Sequence, residues 1–169
     1  MSNAGVIQLT YIPDCPENII HNYQDTVYRI AFTHCRNAHD AEDITQEVFV
    51  RYLKKTPRLT GDEHLKAWLI RVTINVSRSL LRSAWFKKTV PISEQENLST
   101  NDPSVTDTYY AVMSLPEKYR TVVLLYYFED YSVREISKIL RRTETAVQTQ
   151  LQRARAMLKK ELKEVWKND

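Results

Sequence analysis

Glycine is the residue that most constrains the fold of this chain, because only two glycines occur among its 169 residues. Tight β-hairpin turns and phosphate-binding loops need backbone positions with positive φ, which glycine occupies at the lowest cost. A helical protein with short polar turns needs far fewer such positions. Hydrophobic residues make up 43% of the chain and charged residues 27%, a balance typical of a chain that packs a core. The sequence therefore predicts an all-α fold.

No part of the sequence is predicted to cross a membrane, since no apolar run approaches the roughly 20 residues that a bilayer requires. The opening Met1–Ala4 is typical of residues left by an expression vector and is excluded from fold prediction. No signal peptide follows, which favours a cytoplasmic protein with reduced thiols. Two cysteines are too few for a disulfide framework, and His34, Cys35 and His39 lack a second ligand pair at zinc spacing. No metal or other cofactor is predicted.

Residues 89–106 separate two blocks that have helical periodicity. This segment is acidic, rich in Pro, Ser, Thr and Asn, and without a regular apolar repeat, which is typical of a flexible linker. Fully extended, a segment of this length reaches about 60 Å. We therefore predict two small helical domains, residues 5–88 and residues 107–169, joined by the linker.

The first block contains three predicted helices, at Glu17–Arg36, from Asp40 onward and at Glu63–Ala84. Asp40 is placed to cap the second helix, because acids are favourable at a helix start. Between Glu63 and Glu94 the sequence has six basic residues and no acidic one. Such a stretch favours a polyanionic partner, with a solvated helix face as the alternative. Apolar residues that recur at helical spacing in the second and third helices are predicted to form the core, and Trp68 is predicted to pack there rather than to stack on a base. They are Ile44, Val48, Tyr52, Leu53, Leu65, Trp68, Leu69, Val72, Val76 and Leu80.

The second block ends in a helix-turn-helix pattern. Ser132–Glu135 has the form of a capping box ahead of a short helix, Val133–Leu140, and Thr143 is placed to cap a longer helix from Glu144. The longer helix fits the major groove of DNA, and the shorter one sets its angle. An ordinary helical hairpin with a charged exterior is the alternative. Outward side chains suited to base edges or phosphates are Thr145, Gln148, Thr149, Gln152, Arg153, Arg155, Lys159 and Lys160.

Two sets of motifs resemble one protein family. Tyr131–Leu140 and Thr143–Arg155, preceded by Leu115–Arg120, resemble region 4 of the extracytoplasmic-function (ECF) sigma factors of the sigma-70 superfamily. Asp40–Phe49 and Ala67–Asn75 resemble region 2 of the same family. A helix-turn-helix alone is shared by many regulators, whereas both sets in this order are specific. The resemblance implies an alternative sigma factor, a non-catalytic subunit that directs core RNA polymerase to particular promoters.

The resemblance also implies roles by position. The helix that starts near Asp40 is expected to dock on the largest-subunit coiled coil of core RNA polymerase, with the polymerase flap as a further partner. Capping is the alternative for Asp40 and Asp43, and for Phe49 packing is favoured over a polar contact with polymerase. An anti-sigma factor is the implied regulator, and no small-molecule substrate is implied.

The implied polymerase contacts are Asp40, Asp43, Gln46, Glu47 and Phe49. The implied contacts to the −10 element, which region 2 melts, are Thr60, Gly61, Lys66, Arg71, Asn75, Arg78 and Arg82. Those to the −35 element are Thr145, Gln148, Thr149, Gln152, Arg153, Arg155 and Lys159.

The chain departs from the family pattern at several positions. Arg141 and Arg142 stand where the region 4 turn commonly has glycine and an apolar residue, and Gln148 and Gln150 stand where basic residues are frequent. The −35 sequence that this chain reads therefore stays open. We predict that the isolated chain binds promoter DNA poorly and that polymerase spreads two independent domains.

Two other functions remain as alternatives to a sigma factor. One is a sigma-like protein that only binds partners, and the other is a helix-turn-helix regulator that acts without polymerase. The complete region 2 pattern counts against the second, because such a regulator has no use for a polymerase-docking helix. No catalytic triad pattern or glycine-rich phosphate loop is present in the sequence, which disfavours an enzyme.

Overall fold

The computed structural model describes residues 15–54, 61–83 and 103–165, and every regular element among them is helical. This confirms the predicted all-α class. None of the described helices is long and apolar enough to span a membrane. A π-helical segment, Leu124–Phe128, continues the fifth helix. The first unit comprises α1 (Pro16–Cys35), α2 (Ala38–Lys54) and α3 (Asp62–Arg82), and the second unit comprises α4 (Pro103–Ser114), α5 (Glu117–Val123), α6 (Val133–Leu140) and α7 (Glu144–Val165).

The three helices of the first unit pack around an apolar core of their own. Each helix contributes side chains at helical spacing, and full burial of one aliphatic side chain stabilises the fold by about 1.5–3 kcal/mol. Trp68 packs against this core, with its ring 6.2 Å from that of Tyr52. The predicted core role of Trp68 is confirmed. The buried aliphatic residues include Ile19, Val27, Ala31, Ile44, Val48, Leu65 and Leu69.

The connection between α1 and α2 differs from the predicted one. Arg36 adopts a left-handed conformation, with φ of 58°, and ends α1. The side-chain oxygen of Asn37 then accepts a hydrogen bond from the backbone N–H of Asp40, at 3.0 Å. Asn37 therefore caps α2, which begins at Ala38, and the prediction that Asp40 is the cap is wrong. Asn and Asp cap helices about equally well, so the local sequence allowed both starting points.

The helix-turn-helix of the second unit follows the predicted pattern. Ser132 and Glu135 form the capping box, and the Thr143 hydroxyl accepts from the backbone N–H of Ala146 at 3.1 Å. Arg141 adopts the left-handed conformation at the turn, with φ of 53°, at a cost of about 1 kcal/mol for a residue that has a Cβ. The Arg142 N–H donates to the carbonyl of Ser137 at 2.9 Å. The turn therefore forms with arginine at a position where the family pattern was expected to have glycine.

The boundary of the predicted linker also needs correction. Residues 103–106, which the sequence assigned to the linker, form the first turn of α4. Pro103 opens that helix, at a position where a missing N–H costs nothing. The remaining predicted linker residues, together with Trp85 and Phe86, lie outside the described residues, as does the loop stretch 55–60.

The two units pack directly against each other. Ile30 of α1 and Ile70 and Ile74 of α3 share one apolar cluster with Val122, Leu125 and Ile136 of the second unit. All six side chains are 2% exposed or less. The two predicted helical domains are present, but they are not independent of each other in this structure, because they share this apolar cluster. A smaller core, built from Leu115, Tyr119, Val123 and Ala154, belongs to the second unit alone.

Candidate protein and nucleic-acid interfaces

The outer face of α2 is acidic and exposed. The side chains of Asp43 and Glu47 are 57% and 46% exposed, and Gln46 beside them is exposed as well. Each acid has a basic neighbour one turn away, with His39 Nε2 3.6 Å from Asp43 Oδ2 and Arg51 Nε 2.6 Å from Glu47 Oε1. Since α2 packs on α1 and α3 through its apolar side, this face is available to another molecule.

Of the apolar residues of α2, Leu53 differs from its predicted role. Phe49 is 6% exposed and lies in the core of the first unit, which fits a packing role. Leu53, predicted as core, is 52% exposed, and Val50 is 39% exposed. Both share the face of Gln46, because positions 46, 50 and 53 are about one turn apart. Asp40 is half-buried, and burial raises the pKa of its carboxyl above its ordinary value.

Arg71 of α3, predicted to bind −10 DNA, contacts the second unit. Its Nε and Nη2 donate to the carbonyl oxygens of Ile139 and Lys138, each at 3.3 Å. These carbonyls lie at the C-terminal end of α6, where a helix has unsatisfied acceptors and a partial negative charge. Asn75 and Arg82 of the predicted −10 set are exposed.

Gly61 and Thr60 were predicted as −10 contacts in the loop before α3. Gly61 is the residue directly before α3, and a Cβ built on it meets nothing within 4 Å. Crowding therefore does not demand glycine at this position. Thr60 lies outside the described residues.

A second contact between the units is centred on Glu129, whose side chain is 2% exposed. Arg29 Nη2 lies 2.9 Å from Glu129 Oε1, and Lys66 Nζ lies 3.1 Å from Glu129 Oε2. The Lys66 ammonium also lies over the ring of Tyr131, 5.3 Å from its centroid. Burial raises the pKa of the Tyr131 phenol above its ordinary value. Sequence reasoning missed Arg29 and Glu129, because 100 residues separate them and no local pattern relates them.

A third contact joins α1, α3 and α5 around the buried side chain of His34. Its Nε2 lies 3.3 Å from the Thr121 hydroxyl, and its Nδ1 lies 3.3 Å from Glu117 Oε1. Arg78, another predicted −10 residue, places Nη2 3.0 Å from the same carboxylate oxygen. Burial lowers the pKa of His34 from 6.5 to about 4, against the opposing charge of Glu117 and with the help of Arg78 and Arg120. Burial alone would raise the pKa of Glu117, but His34 and Arg78 hold it below its ordinary value.

We expect the free energy of unfolding to fall as the pH is lowered from 6.5 toward 4, the ordinary and the folded pKa of His34. His34 is neutral in the folded chain, whereas the unfolded chain binds a proton on it below the ordinary pKa, so acid favours the unfolded state. The full loss is about 3 kcal/mol, present below the folded pKa and absent at neutral pH. Denaturant titrations across this range measure it.

The matched control for this pH dependence is another histidine of the first unit. His34→Gln is expected to remove the His34 part of the pH dependence, whereas His39→Gln, at a side chain 80% exposed, is expected to leave it unchanged. Equal pH profiles for His34→Gln and the unchanged chain would contradict the assignment.

The polar stripe of α7 is exposed along its length. Val147, Leu151 and Ala154 are at most 2% exposed and turn inward, which leaves the opposite side of the helix in solvent. The predicted base-reading residues Thr145, Gln148 and Gln152 and the predicted phosphate contacts Arg153, Arg155 and Lys159 are exposed, and Thr149 is half-buried. The Thr149 hydroxyl donates to the Thr145 carbonyl at 2.9 Å. The structure thus presents this set together on one helix.

Arg155 differs from the other basic residues of α7 because aromatic side chains hold it. Its Nε donates to the Tyr127 hydroxyl at 2.8 Å, and its Cζ lies 5.8 Å from the ring centroids of both Tyr126 and Tyr127. The π-helical segment places these two rings toward α7, and π-helical turns are frequent at functional sites. Sequence reasoning missed Tyr127, which holds the Arg155 guanidinium in one orientation on the stripe that also carries Gln148.

Cys35 packs as a small buried residue, 4% exposed, and its thiol donates to the carbonyl of Asn37 at 3.2 Å. Within the described parts of the chain, no three His, Cys, Asp or Glu side chains cluster in a way that could hold a metal ion.

Comparison with known proteins of similar sequence identifies the family of this chain. Residues 19–87 match the family described as Sigma-70 region 2, and residues 108–158 match the family described as Sigma-70, region 4. The ECF RNA polymerase sigma factor SigM of Bacillus subtilis (strain 168) is 30% identical, over 85% of this chain and 92% of SigM. The chain belongs to the ECF sigma factors. SigW of the same bacterium is 26% identical over 90% of this ECF sigma factor and 91% of SigW. The chain described in this structure is thus an alternative sigma factor that acts in transcription initiation.

Solved structures share the fold of this ECF sigma factor. The sigma factor RpoE from Bartonella quintana, solved with the anti-sigma factor NepR, matches with a TM-score of 0.75 at 18% identity, over 87% of this chain and 96% of RpoE. CnrH, solved with the cytosolic domain of CnrY, matches with a TM-score of 0.64 at 20% identity, over 88% of this chain and 87% of CnrH. At these identities the likeness establishes the fold alone.

Proposed function

We propose that this ECF sigma factor docks on core RNA polymerase through the outer face of α2. The observation that carries the proposal is the composition of that face, where exposed acids flank the exposed apolar side chains of Val50 and Leu53. An apolar centre with a charged rim is typical of a protein-binding surface, and the acids complement a basic partner. The largest-subunit coiled coil is the proposed partner for α2, and the polymerase flap is the proposed partner of the second unit.

We further propose that residues 5–88 meet the −10 element and residues 107–169 read the −35 element, with residues 89–106 as their connection. On the −10 side, residues 64–82 of α3 include four basic residues and no acidic one, which supports contact with phosphates, and Asn75 adds an exposed amide. On the −35 side, α7 presents amides and hydroxyls near its start and cations further along, as a recognition helix in a major groove requires.

The chain acts by binding, as a non-catalytic subunit in the cytoplasm, and an anti-sigma factor holds it inactive. The support for the regulator is that two relatives in fold were solved with such partners, RpoE with NepR and CnrH with the cytosolic domain of CnrY. The family itself supports the absence of catalysis, because sigma factors select promoters while the core enzyme makes RNA.

A reconstituted transcription assay tests the whole proposal. Core polymerase mixed with the chain is expected to initiate at a specific subset of a genome-wide promoter library, and sequencing of the transcripts then gives the −10 and −35 bases. Silence across the library, with the chain still bound to core enzyme, would support the alternative of a sigma-like protein that only binds partners.

We expect Gln148→Ala to change base preference at the −35 element by about 1–3 kcal/mol at one position, because an amide reads a base edge. Lys159→Ala is the matched control on the same exposed stripe. It is expected to weaken binding to every sequence alike and to reduce the salt dependence by about one counterion. Binding of the holoenzyme to a randomised −35 library at several salt concentrations measures both effects. Sequence-blind losses for both variants would contradict the assignment of Gln148.

A further inference from the structure

A neutral group orients the guanidinium of Arg155 on α7. The Tyr127 hydroxyl accepts a hydrogen bond from its Nε at 2.8 Å, and the rings of Tyr126 and Tyr127 each lie 5.8 Å from its Cζ. The two rings meet edge to face, with their planes at 76° and their centroids 4.9 Å apart. A hydrogen bond therefore fixes the Nε edge of the guanidinium, and two aromatic rings attract its charge.

The partner of Arg155 leaves its positive charge available to another molecule. On α2, by contrast, Arg51 Nε lies 2.6 Å from a carboxylate oxygen of Glu47, and a carboxylate offsets the charge of the arginine that it orients. A phenol is neutral at pH 7, so Tyr127 orients Arg155 without offsetting its charge. Only Nε is used in this contact, and the terminal nitrogens form a planar fork that fits a phosphate.

Arg155 lies on the face of α7 that carries the proposed base-reading residues. Positions 148, 152 and 155 are separated by four and three residues, so Gln148, Gln152 and Arg155 share one side of the helix. All three side chains are exposed. Arg155 lies about 10 Å beyond Gln148 along the helix axis. Since the major groove is about 12 Å wide, a cation at this distance from the base-reading end is near the phosphates that border the groove.

We propose that Tyr127 is a positioning residue for −35 recognition, which holds Arg155 in the orientation that meets a DNA phosphate before the DNA binds. This inference rests on the proposed −35 role of α7. A long surface side chain loses rotamer freedom when it binds, and this loss weakens the complex. Arg155 is already ordered by Tyr127 in the free chain, so it loses less freedom on binding.

The experiment removes one hydroxyl group from the sigma factor in saturated holoenzyme. Tyr127→Phe keeps the ring and deletes the hydrogen bond to Arg155. It is expected to weaken binding to a randomised −35 library about fivefold, and alike for every sequence, because a phosphate contact carries no base information. Tyr110→Phe is the matched control, since Tyr110 on α4 is 53% exposed and Tyr127 is 50% exposed. The control is expected to bind the library as the unchanged chain does.

A double-mutant cycle shows whether Tyr127 acts through Arg155. Arg155→Gln removes the phosphate contact and is expected to reduce the salt dependence of binding by about one counterion. In the Arg155→Gln background, Tyr127→Phe is expected to weaken binding no further. The melting temperature of each free chain is measured as well. A tyrosine that only ties the π-helical segment to α7 would lower the melting temperature when it is changed and leave the affinity for DNA unaltered.

The outcomes separate the inference from the proposed function. Undiminished DNA affinity for Tyr127→Phe would overturn the positioning role, and the −35 role would stand if Arg155→Gln or Lys159→Ala still weakens binding. The positioning role would also be overturned by equal losses for Tyr127→Phe with and without Arg155→Gln, or by equal losses for Tyr127→Phe and Tyr110→Phe. Unchanged affinity and salt dependence for both Arg155→Gln and Lys159→Ala would overturn the −35 role itself.

Discussion

Asp43→Lys combined with Glu47→Lys is expected to lower polymerase-dependent transcription by about 100-fold. Both side chains are about half exposed on the proposed docking face of α2, and reversal replaces two attractions to a basic partner by two repulsions. Like charges brought together at an interface cost several kcal/mol, and about 2.7 kcal/mol corresponds to a 100-fold change. Titration of core enzyme with the labelled chain, followed by transcription at saturation, measures the effect and shows whether it lies in binding.

The matched control for this charge reversal lies on α1. Glu17→Lys combined with Asp25→Lys makes the same change in net charge at two exposed positions of the same unit, away from α2. This control is expected to bind polymerase within a few-fold of the unchanged chain. Equal losses for the two double variants would mean that net charge, and not the face of α2, determines binding.

Ile70→Asp is expected to separate the two units while the first unit stays folded. Ile70 is fully buried, but its cluster joins α3 to the second unit, so the Asp side chain is hydrated as soon as the units part. A carboxylate left in that cluster would cost several kcal/mol. Small-angle scattering is expected to show a larger radius of gyration, and circular dichroism is expected to show nearly unchanged helix content.

Leu69→Asp is the matched control, one residue earlier on the same helix. Leu69 is 1% exposed and belongs to the core within the first unit, where no movement between the units can expose it. This variant is therefore expected to lose the helix content of the first unit altogether. Should Ile70→Asp unfold the chain in the same way, the two units would be one indivisible core, and a polymerase-driven opening would be untenable.

The adjacent positions 69 and 70 also show how far the sequence predicts this fold. The apolar stripe at Leu65, Leu69, Val72 and Val76 was read from its spacing and lies in the core of the first unit. Ile70 and Ile74 form a second stripe on α3, buried against helices that are distant in the chain. Periodicity identifies which side of a helix is apolar, but it carries no information about the partner that covers a second side.

The candidate surfaces also contain some residues that the sequence predicts and others that only the tertiary structure shows. The exposure of Asp43, Glu47 and Gln148 follows from their positions opposite the apolar stripes of α2 and α7, and the sequence placed them correctly on outer faces. Tyr127 could not be assigned to Arg155 from the sequence, because 28 residues separate them and the π-helical turn sets the direction of the ring.

Local composition and spacing alone determined the helical class, the capping box at Ser132 and the family to which the motifs belong, because each of these depends on residues within a few turns of one another. The tertiary structure decided where the basic residues of α3 point. A lysine or arginine forms charge-assisted hydrogen bonds with a phosphate and with a carboxylate. Which of the two it meets depends on packing between segments as far apart in sequence as Arg29 and Glu129.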